Sequence, residues 1–305
     1  MQIYAGGTRG ERPCAVALGN FDGVHLGHQA VVADAARAAR ALGLPLAACV
    51  FEPHPRQFLQ PEGAPFRLQS PGQRARALEA LGVEALYELK FDADLMRESD
   101  EEFARNQLSG VIGARHVSVG ADFTFGRARM GDAASLSRLG AALGFSVGVV
   151  GVVGDAAGKV SSSAIRAAIA EGRPEEAQRL LSRPWAIEGF VLPGQARGRT
   201  IGFPTANVAL GQYVRPRYGV YAVRVSVDGG AWLPGVANIG VKPTIGGAQE
   251  PLLEAHLFDV KRDLYGRRIE ATLIAFIRPE QKFDSFAALT AQIAADADTA
   301  RRLLG

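Results

Sequence analysis

Cysteine is scarce in this 305-residue sequence, which has only Cys14 and Cys49. Two thiols cannot build a disulfide framework or the four-ligand set of a structural zinc site. Both sit in apolar, strand-like runs, CAVALG and LAACVF. Buried free thiols are the expected state there, and a reducing, cytoplasmic compartment fits. No run of ~18 uncharged apolar residues occurs, so no transmembrane helix is expected. The start, MQIYAGGTRGERP, lacks a basic stretch followed by an apolar one, and no secretory signal is visible. Strong charge of one sign is also missing. The net charge is +3, all of it in excess basic residues after residue 183, and neither half holds a long basic run. That argues against a nucleic-acid track or a membrane surface as partner and favours small anionic ligands held by a few placed cations. Internal repeats and low-complexity tracts are absent. The segment GDAAGKVS, Gly154–Ser161, imitates a phosphate-binding P-loop but is one residue short, with Val160 where Ser or Thr belongs.

Apolar periodicity is present in two rhythms. In the first, CAVALG, LAACVF, ALYELKF, HVSVG and GFSVGVVGVV read as strands. They alternate with helix patterns: QAVVADAARAARAL (starting near Gln29 and closed by Gly43), GQRARALEAL, SDEEFARNQLSGVI and AASLSRLGAAL. This alternation predicts a Rossmann-like parallel sheet with crossover helices. After Pro184 the runs shorten and are broken by Gly, Pro and Asp-Gly turns: WAIEGFVL, GVYAVRVSV, WLPGVANIG, LLEAHLF and RIEATLIAFI. That rhythm predicts a small antiparallel barrel, closed by a helix over FAALTAQIAADADTARRLL. Domains of residues 1–183 and 184–305 follow, in an α/β chain of two folds.

Two pieces of the first half carry chemistry. GNFDGVHLGHQ, Gly19–Gln29, is a Gly-rich turn from strand to helix, where free N–H groups and a close backbone approach suit phosphate. His25 and His28 bracket Gly27 at this turn and can donate hydrogen bonds to phosphate oxygens as charge develops. In KVSSSAIR, Lys159–Arg166, serines open a helix and Arg166 lies one turn in, so hydroxyls, N–H groups and a guanidinium can meet an anion. Together these resemble the nucleotidyltransferase superfamily, with its His-x-Gly-His and late Ser-Ser-Thr-x-x-Arg-like signatures. A phosphate nucleophile is already anionic, so catalysis there is positioning and charge stabilisation, and needs no general base.

FEPHPRQF (Phe51–Phe58) and VGADFTFGRARMGD (Val119–Asp132) each follow a strand, where ligands of open α/β sheets bind. Aromatics beside phosphate groups suit a flat ring carrying a phosphate. As a set, these motifs resemble the prokaryotic FAD synthetase family of bifunctional riboflavin kinase/FMN adenylyltransferases, over essentially the whole chain. The resemblance implies that His25, His28, Ser162, Ser163 and Arg166 handle the ATP phosphates, and that Gly19, Phe21 and Lys159 belong to the cofactor-binding site. It implies that Phe51, Pro53, His54, Asp122 and Phe125 shape the pocket for FMN and nucleotide. Lys159 stands where the family often has Arg and lacks the planar fork for bidentate phosphate contact.

The second half has its own constellation. GQARGRTIGFPTANV, Gly194–Val208, repeats glycine at Gly194, Gly198 and Gly202 with Arg197 and Arg199 between, as a flap over phosphates would. Pro204 biases the chain to extended geometry, so Thr205 and Asn207 face the same way. Two neutral oxygens are a start for Mg²⁺, which fills its shell with water and nucleotide phosphates. LLEAHLFD alternates, with Glu254, His256 and Phe258 on one face, and Glu254 can serve as a general base. Gly198–Asn207, Gly219–Tyr221, Asn238–Thr244, Glu254–Asp259 and Asp263–Gly266 match the kinase half of the same family. By that resemblance Thr205 and Asn207 bind Mg²⁺ with ATP, Asn238 belongs to the site, and Glu254 activates the terminal ribityl hydroxyl of riboflavin. The implied fold is a Greek-key barrel with a C-terminal helix.

The expected function is phosphorylation of riboflavin to FMN by one ATP and adenylylation of FMN to FAD by a second, with pyrophosphate released. The expected partners are these small molecules, in a monomer or transient homo-oligomer. The residues also leave room for an adenylyltransferase of another phosphate, an inactive flavin-binding carrier, or a chain with one active half. The first leaves the barrel half unexplained. The second predicts a broken reactive set, yet His28, Arg166, Thr205, Asn207 and Glu254 are all present.

Overall fold

The computed structural model describes residues 1–156, 158–193, 203–243, 249–260 and 262–305. The chain falls into two compact units: Met1–Ala64 with Pro71–Ser161, and Pro65–Ser70 with Ser162–Gly305.

The first unit is a six-stranded parallel sheet: β1 (Gln2–Ala5), β2 (Cys14–Leu18), β3 (Leu46–Glu52), β4 (Ala85–Lys90), β5 (Ala114–Gly120) and β6 (Ser146–Val150). The order is β1-β4-β3-β2-β5-β6. β2 and β3 are near-continuous apolar runs because crossover helices cover both faces of a parallel sheet. Helix α1 (Leu26–Leu42) buries Val31, Val32, Ala35 and Ala39 and stops at Gly43, whose φ of 65° is left-handed. It begins three residues before the position expected from the sequence. The reason is that His25 itself is the N-cap: its Nδ1 accepts from the His28 N–H at 3.3 Å. Helix α2 (Pro71–Glu79) and helix α3 (Ala133–Leu143) match their sequence patterns. Between them, SDEEFARNQLSGVI is helical but opens into wider π-type turns over Ala104–Ile112. β1, at the sheet edge, has no counterpart among the expected strands; it pairs with β4 from Gln2↔Ala85 to Ala5↔Glu88.

The second unit is antiparallel: β7 (Ala186–Phe190), β8 (Ala206–Ala209), β9 (Gly219–Val227), β10 (Trp232–Pro243), β11 (Gln249–Leu257) and β12 (Arg268–Pro279). The order is β7-β12-β9-β10-β11-β8. Strands β9, β10 and β11 form a meander and β12 returns beside β9, which is the Greek-key arrangement. Leu192 N–H donates to the Asn207 carbonyl at 2.8 Å, so the two edge strands meet and the barrel nearly closes. Val208, Leu253, Ala255, Leu257 and Val223 fill the interior. On the outer face Val220, Ala222, Val236 and Phe258 pack under the terminal helix α7 (Phe286–Leu304).

The π-rich helix Asp100–Ile112 of the first unit is α4, and helices α5 (Ser162–Ala170) and α6 (Pro174–Leu181) belong to the second unit. Their apolar residues Ile165, Ile169, Leu180 and Leu181 are buried, and Arg217 N–H donates to the Ile169 carbonyl at 3.1 Å. The excursion Pro65–Ser70 joins them. Arg67 N–H donates to the Gln212 carbonyl and Val214 N–H to the Arg67 carbonyl, both at 2.9 Å. The Trp185 indole N–H donates to the Leu68 carbonyl at 2.6 Å.

Candidate active sites

In the first unit the chain leaves β2 for β3 on one side, and β5 lies on the other side of β2. The sheet order therefore reverses between β2 and β5, and such a switch point opens a crevice at the strands' carboxyl ends. The motif-bearing turns lie there: Gly19–His28 after β2, Phe51–His54 at the end of β3, and Gly120–Phe125 after β5. The β2 turn is tight, with positive φ at Phe21 (51°), Gly23 (98°) and Val24 (44°). It delivers His25 and His28 as stacked rings, with centroids 3.6 Å apart and planes 16° apart, and the Phe21 edge meets His28 at 5.3 Å. Gly27 leaves room for this stack: a Cβ would stand 3.1 Å from His25 Cε1, close enough that the ring would have to shift slightly. Because His25 Nδ1 accepts a hydrogen bond, the neutral ring carries its proton on Nε2. Gly19 faces the Phe21 ring.

His54 caps the short helix Pro55–Leu59, its Nδ1 accepting from Arg56 N–H at 3.1 Å, and Pro53 follows a cis peptide bond. Phe51 touches Phe91 and Phe103, and Phe103 touches Phe125, which stacks on Phe123. Phe125 is only 5 % exposed and is a core residue, so it can shape a pocket only from beneath. Within GDAAGKVS, Gly154–Asp155 and Gly158–Lys159 pair antiparallel with Lys159 opposite Gly154, which is not the strand-to-helix arrangement of a phosphate loop. That pairing presents Lys159, whose Nζ meets Asp122 Oδ2 at 2.7 Å with both side chains well exposed (49 % and 69 %). The Lys159 hydrogen bond, opposed by partial burial and reinforced by the Lys159 charge, holds the Asp122 carboxyl below the usual carboxylate range.

Ser162, Ser163 and Arg166 are carried by α5, in the second unit. Arg166 Nε donates to the Phe66 carbonyl at 2.7 Å, and its guanidinium lies over the Phe66 ring at 5.5 Å.

The barrel brings together residues far apart in sequence. Asn207 on β8 is the direct partner of Glu254 on β11, which is the direct partner of Asn238 on β10. Directly opposite residues share a face, so the three form one row with neighbouring Cβ atoms about 4.5–5.5 Å apart. Asn207 is 8 % exposed, and its Oδ1 is buried without a hydrogen-bond partner among the described residues. Asn238 Nδ2 donates to Glu280 Oε1 at 3.1 Å. Thr205 lines a pocket walled by Val191, Ala255, Leu257, Val260, Leu264 and Tyr265. Among the described residues no three His, Cys, Asp or Glu side chains converge as a metal site. Gly194, Arg197, Gly198, Arg199 and Gly202 lie outside the described residues.

Three further residues emerge from the geometry. Asn20, inside the GNFDG run, has a buried Oδ1 with no hydrogen-bond partner among the described residues, although its motif was in plain view. His256, two residues from Glu254, bonds the Pro204 carbonyl at 2.9 Å. Glu280 reaches Asn238 across 42 residues, and no local pattern marks it.

Together these features define a two-part phosphate-handling protein: an open α/β sheet with a His pair at its switch point, and a small barrel with a carboxylate–amide row. Residues 8–164 match the family model described as FAD synthetase, and residues 181–304 that described as riboflavin kinase. The bifunctional riboflavin kinase/FMN adenylyltransferase of Pseudomonas fluorescens is 44% identical over 292 residues, 96% of this chain and 93% of that protein. Its namesake in Escherichia coli K12 is 41% identical with the same coverage, and that of Bacillus subtilis 39% identical over 94% of this chain and 91% of its own. A crystal structure described as a macrolide-efflux protein from Streptococcus pneumoniae superposes with a TM-score of 0.88, at 33% identity over 99% of both chains. No helix among the described residues is long and apolar enough to cross a membrane. The chain belongs to the bifunctional riboflavin kinase/FMN adenylyltransferase family.

Proposed function

We propose that this chain makes FAD from riboflavin in two ATP-dependent steps, acting as riboflavin kinase and then as FMN adenylyltransferase. The observation that carries this reading is the match of both halves to their family models, each with its reactive residues present. We assign the adenylyltransferase to residues 1–183 and the kinase to 184–305. Nothing in the comparisons favours an inactive carrier.

In the barrel, Glu254 takes the proton of the terminal ribityl hydroxyl as its oxygen attacks the γ-phosphorus of ATP, the bond to the β-phosphate breaks and ADP leaves. Glu254 stands directly beside Asn207, which supports a single site for base and nucleotide. The residues fit Mg²⁺: the buried oxygen of Asn207, without a hydrogen-bond partner among the described residues, and the Thr205 hydroxyl two residues before it are a neutral oxygen set of the kind this ion accepts. Bound there with ATP, the ion supplies charge neutralisation on the phosphates. The pocket beside Thr205, lined by Val191, Leu257 and Leu264 with Arg262, Asp263 and Tyr265, suits the nucleotide base, Asn238 completes the row, and we assign Gly194, Arg197, Gly198, Arg199 and Gly202, which lie outside the described residues, to phosphate binding. In the first half, an FMN phosphate oxygen attacks the α-phosphorus of the second ATP and pyrophosphate leaves. We assign His25, His28 and Lys159 to stabilising the charge and Gly19, Phe21, Phe51, Pro53, His54, Asp122 and Phe125 to shaping the pocket; Ser162, Ser163 and Arg166, carried by α5 in the second unit, keep the ATP-phosphate role that the resemblance implies. The two buried, unpaired thiols suit a reducing cytoplasm, and we place the enzyme there as a monomer or transient homo-oligomer.

A chromatographic time course of riboflavin with ATP and Mg²⁺ tests the reading. FMN should rise and then give way to FAD. FMN accumulating alone would confine activity to the barrel and implicate Lys159. No flavin product from riboflavin or from FMN would overturn the enzyme reading.

A further inference from the structure

The segment that leads into Thr205 and Asn207 has an unusual hold. Pro204 has no N–H to donate, and the β8–β11 pairing begins one residue past Thr205, at Ala206 opposite Ala255. The Pro204 carbonyl is met by a side chain, His256 Nδ1, at 2.9 Å. A carbonyl oxygen only accepts, so Nδ1 carries the proton. His256 lies on the same strand face as Glu254, two residues away. Its ring is itself held: the Phe203 ring meets it at 5.1 Å and 65°, and the Phe258 ring at 5.9 Å and 68°. The Arg301 guanidinium of α7 covers Phe258 at 4.1 Å from the ring centroid.

We propose that His256 is a positioning residue for the cation–nucleotide site of the barrel. Its Nδ1–H fixes the backbone immediately before Thr205, where strand pairing does not yet act. It thereby directs the Thr205 hydroxyl and the Asn207 Oδ1, which has no hydrogen-bond partner among the described residues, toward one point. The inference rests on the reading that Thr205 and Asn207 hold Mg²⁺ with ATP. Groups that orient metal ligands in this way change metal affinity by roughly 10–100-fold when removed.

Two substitutions separate the hydrogen bond from the ring. His256→Phe keeps the aromatic packing and removes the donor. His256→Asn shrinks the ring but places an amide N–H near the Nδ1 position. Riboflavin phosphorylation is followed against Mg²⁺ concentration, with FMN adenylylation in the other half as an internal reference. ADP is also titrated calorimetrically with and without Mg²⁺, the barrel component being the one that Asn207→Ala removes. His256→Phe should raise the half-saturating Mg²⁺ of the kinase step by about tenfold or more. It should weaken the Mg²⁺-dependent part of the barrel component to match, and leave adenylylation unmoved. His256→Asn should recover most of both losses. A wild-type Mg²⁺ profile in His256→Phe, or an Asn variant no better than the Phe variant, overturns the proposal. If the Phe variant does not melt cooperatively, His256→Leu against His256→Asn makes the same comparison with and without a donor. If Asn207→Ala leaves the Mg²⁺ dependence of the kinase step unchanged, the cation reading of the site falls first, whatever His256 does.

Discussion

Glu254 and His28, two side chains proposed to take part in the reactions, are prepared very differently. Glu254 owes its setting to strands: Asn207 and Asn238 flank it because three ladders are in register. His28 owes its setting to a turn and a helix start, where His25 caps α1 and stacks on it. Glu254→Gln should lower riboflavin phosphorylation by about 10²–10⁴-fold, the usual worth of a general base, and leave FMN adenylylation intact. His28→Ala should do the reverse, lowering FAD formation by about 10²–10³-fold. Parallel assays starting from riboflavin and from FMN check both. The sequence shows His25, His28, Lys159 and Asp122 as candidates, because turn chemistry and motif order are local. It does not show that Lys159 and Asp122 pair, since the contact crosses 37 residues. Nor does it show that Phe125 is packed into the core, because an aromatic in a motif is consistent with either core or pocket.

At the scale of elements, two charged or titratable groups test how the first sheet is held. Arg74 on α2 is 2 % exposed and bonds Glu52 of β3 at 2.9 Å and Glu88 of β4 at 3.4 Å. It ties helix to sheet where β3 ends and the His54 loop begins. Arg74→Leu would leave two carboxylates facing each other without their cation and should cost about 3 kcal/mol, at the lower end of the range for a broken buried pair because both carboxylates keep some water. Urea denaturation followed in the first unit measures this. On β2, burial pushes the Cys14 thiol up from 9.0 to about 12, against a smaller opposing hydrogen bond with Tyr87. A raised folded value means the folded state holds its proton longer than the unfolded chain. The stabilisation is therefore complete below about pH 9 and is lost as pH rises toward about 12. Stability should fall between pH 9 and 10.5, by at most about 1.4 kcal/mol per pH unit from this group. Cys14→Ala should flatten that slope, although Cys49 and Tyr87, also raised by burial, keep part of it.

For the whole molecule, the two chemistries use separate residues, so FMN made in the barrel must be able to serve the first half. An equimolar mixture of Glu254→Gln and His28→Ala chains should therefore make FAD from riboflavin, although neither variant alone does so at an appreciable rate. A mixture that accumulates FMN without FAD would mean that FMN does not pass between chains. The sequence by itself determined the two fold types, most of the strand and helix series though not β1, the turn motifs and the family, because each rests on periodicity, capping or residue order within a short span. Tertiary structure decided which of these pieces share a unit and which residues meet. Helix α5, read from sequence as the end of the first domain, packs its Ile165 and Ile169 in the second unit, because burial depends on which apolar surface lies in reach and not on chain order. The Asn207–Glu254–Asn238 row, the Asn238–Glu280 bond and the His256 clamp on Pro204 likewise exist only once strand register is set, and a one-residue slip would turn each of them to the opposite face.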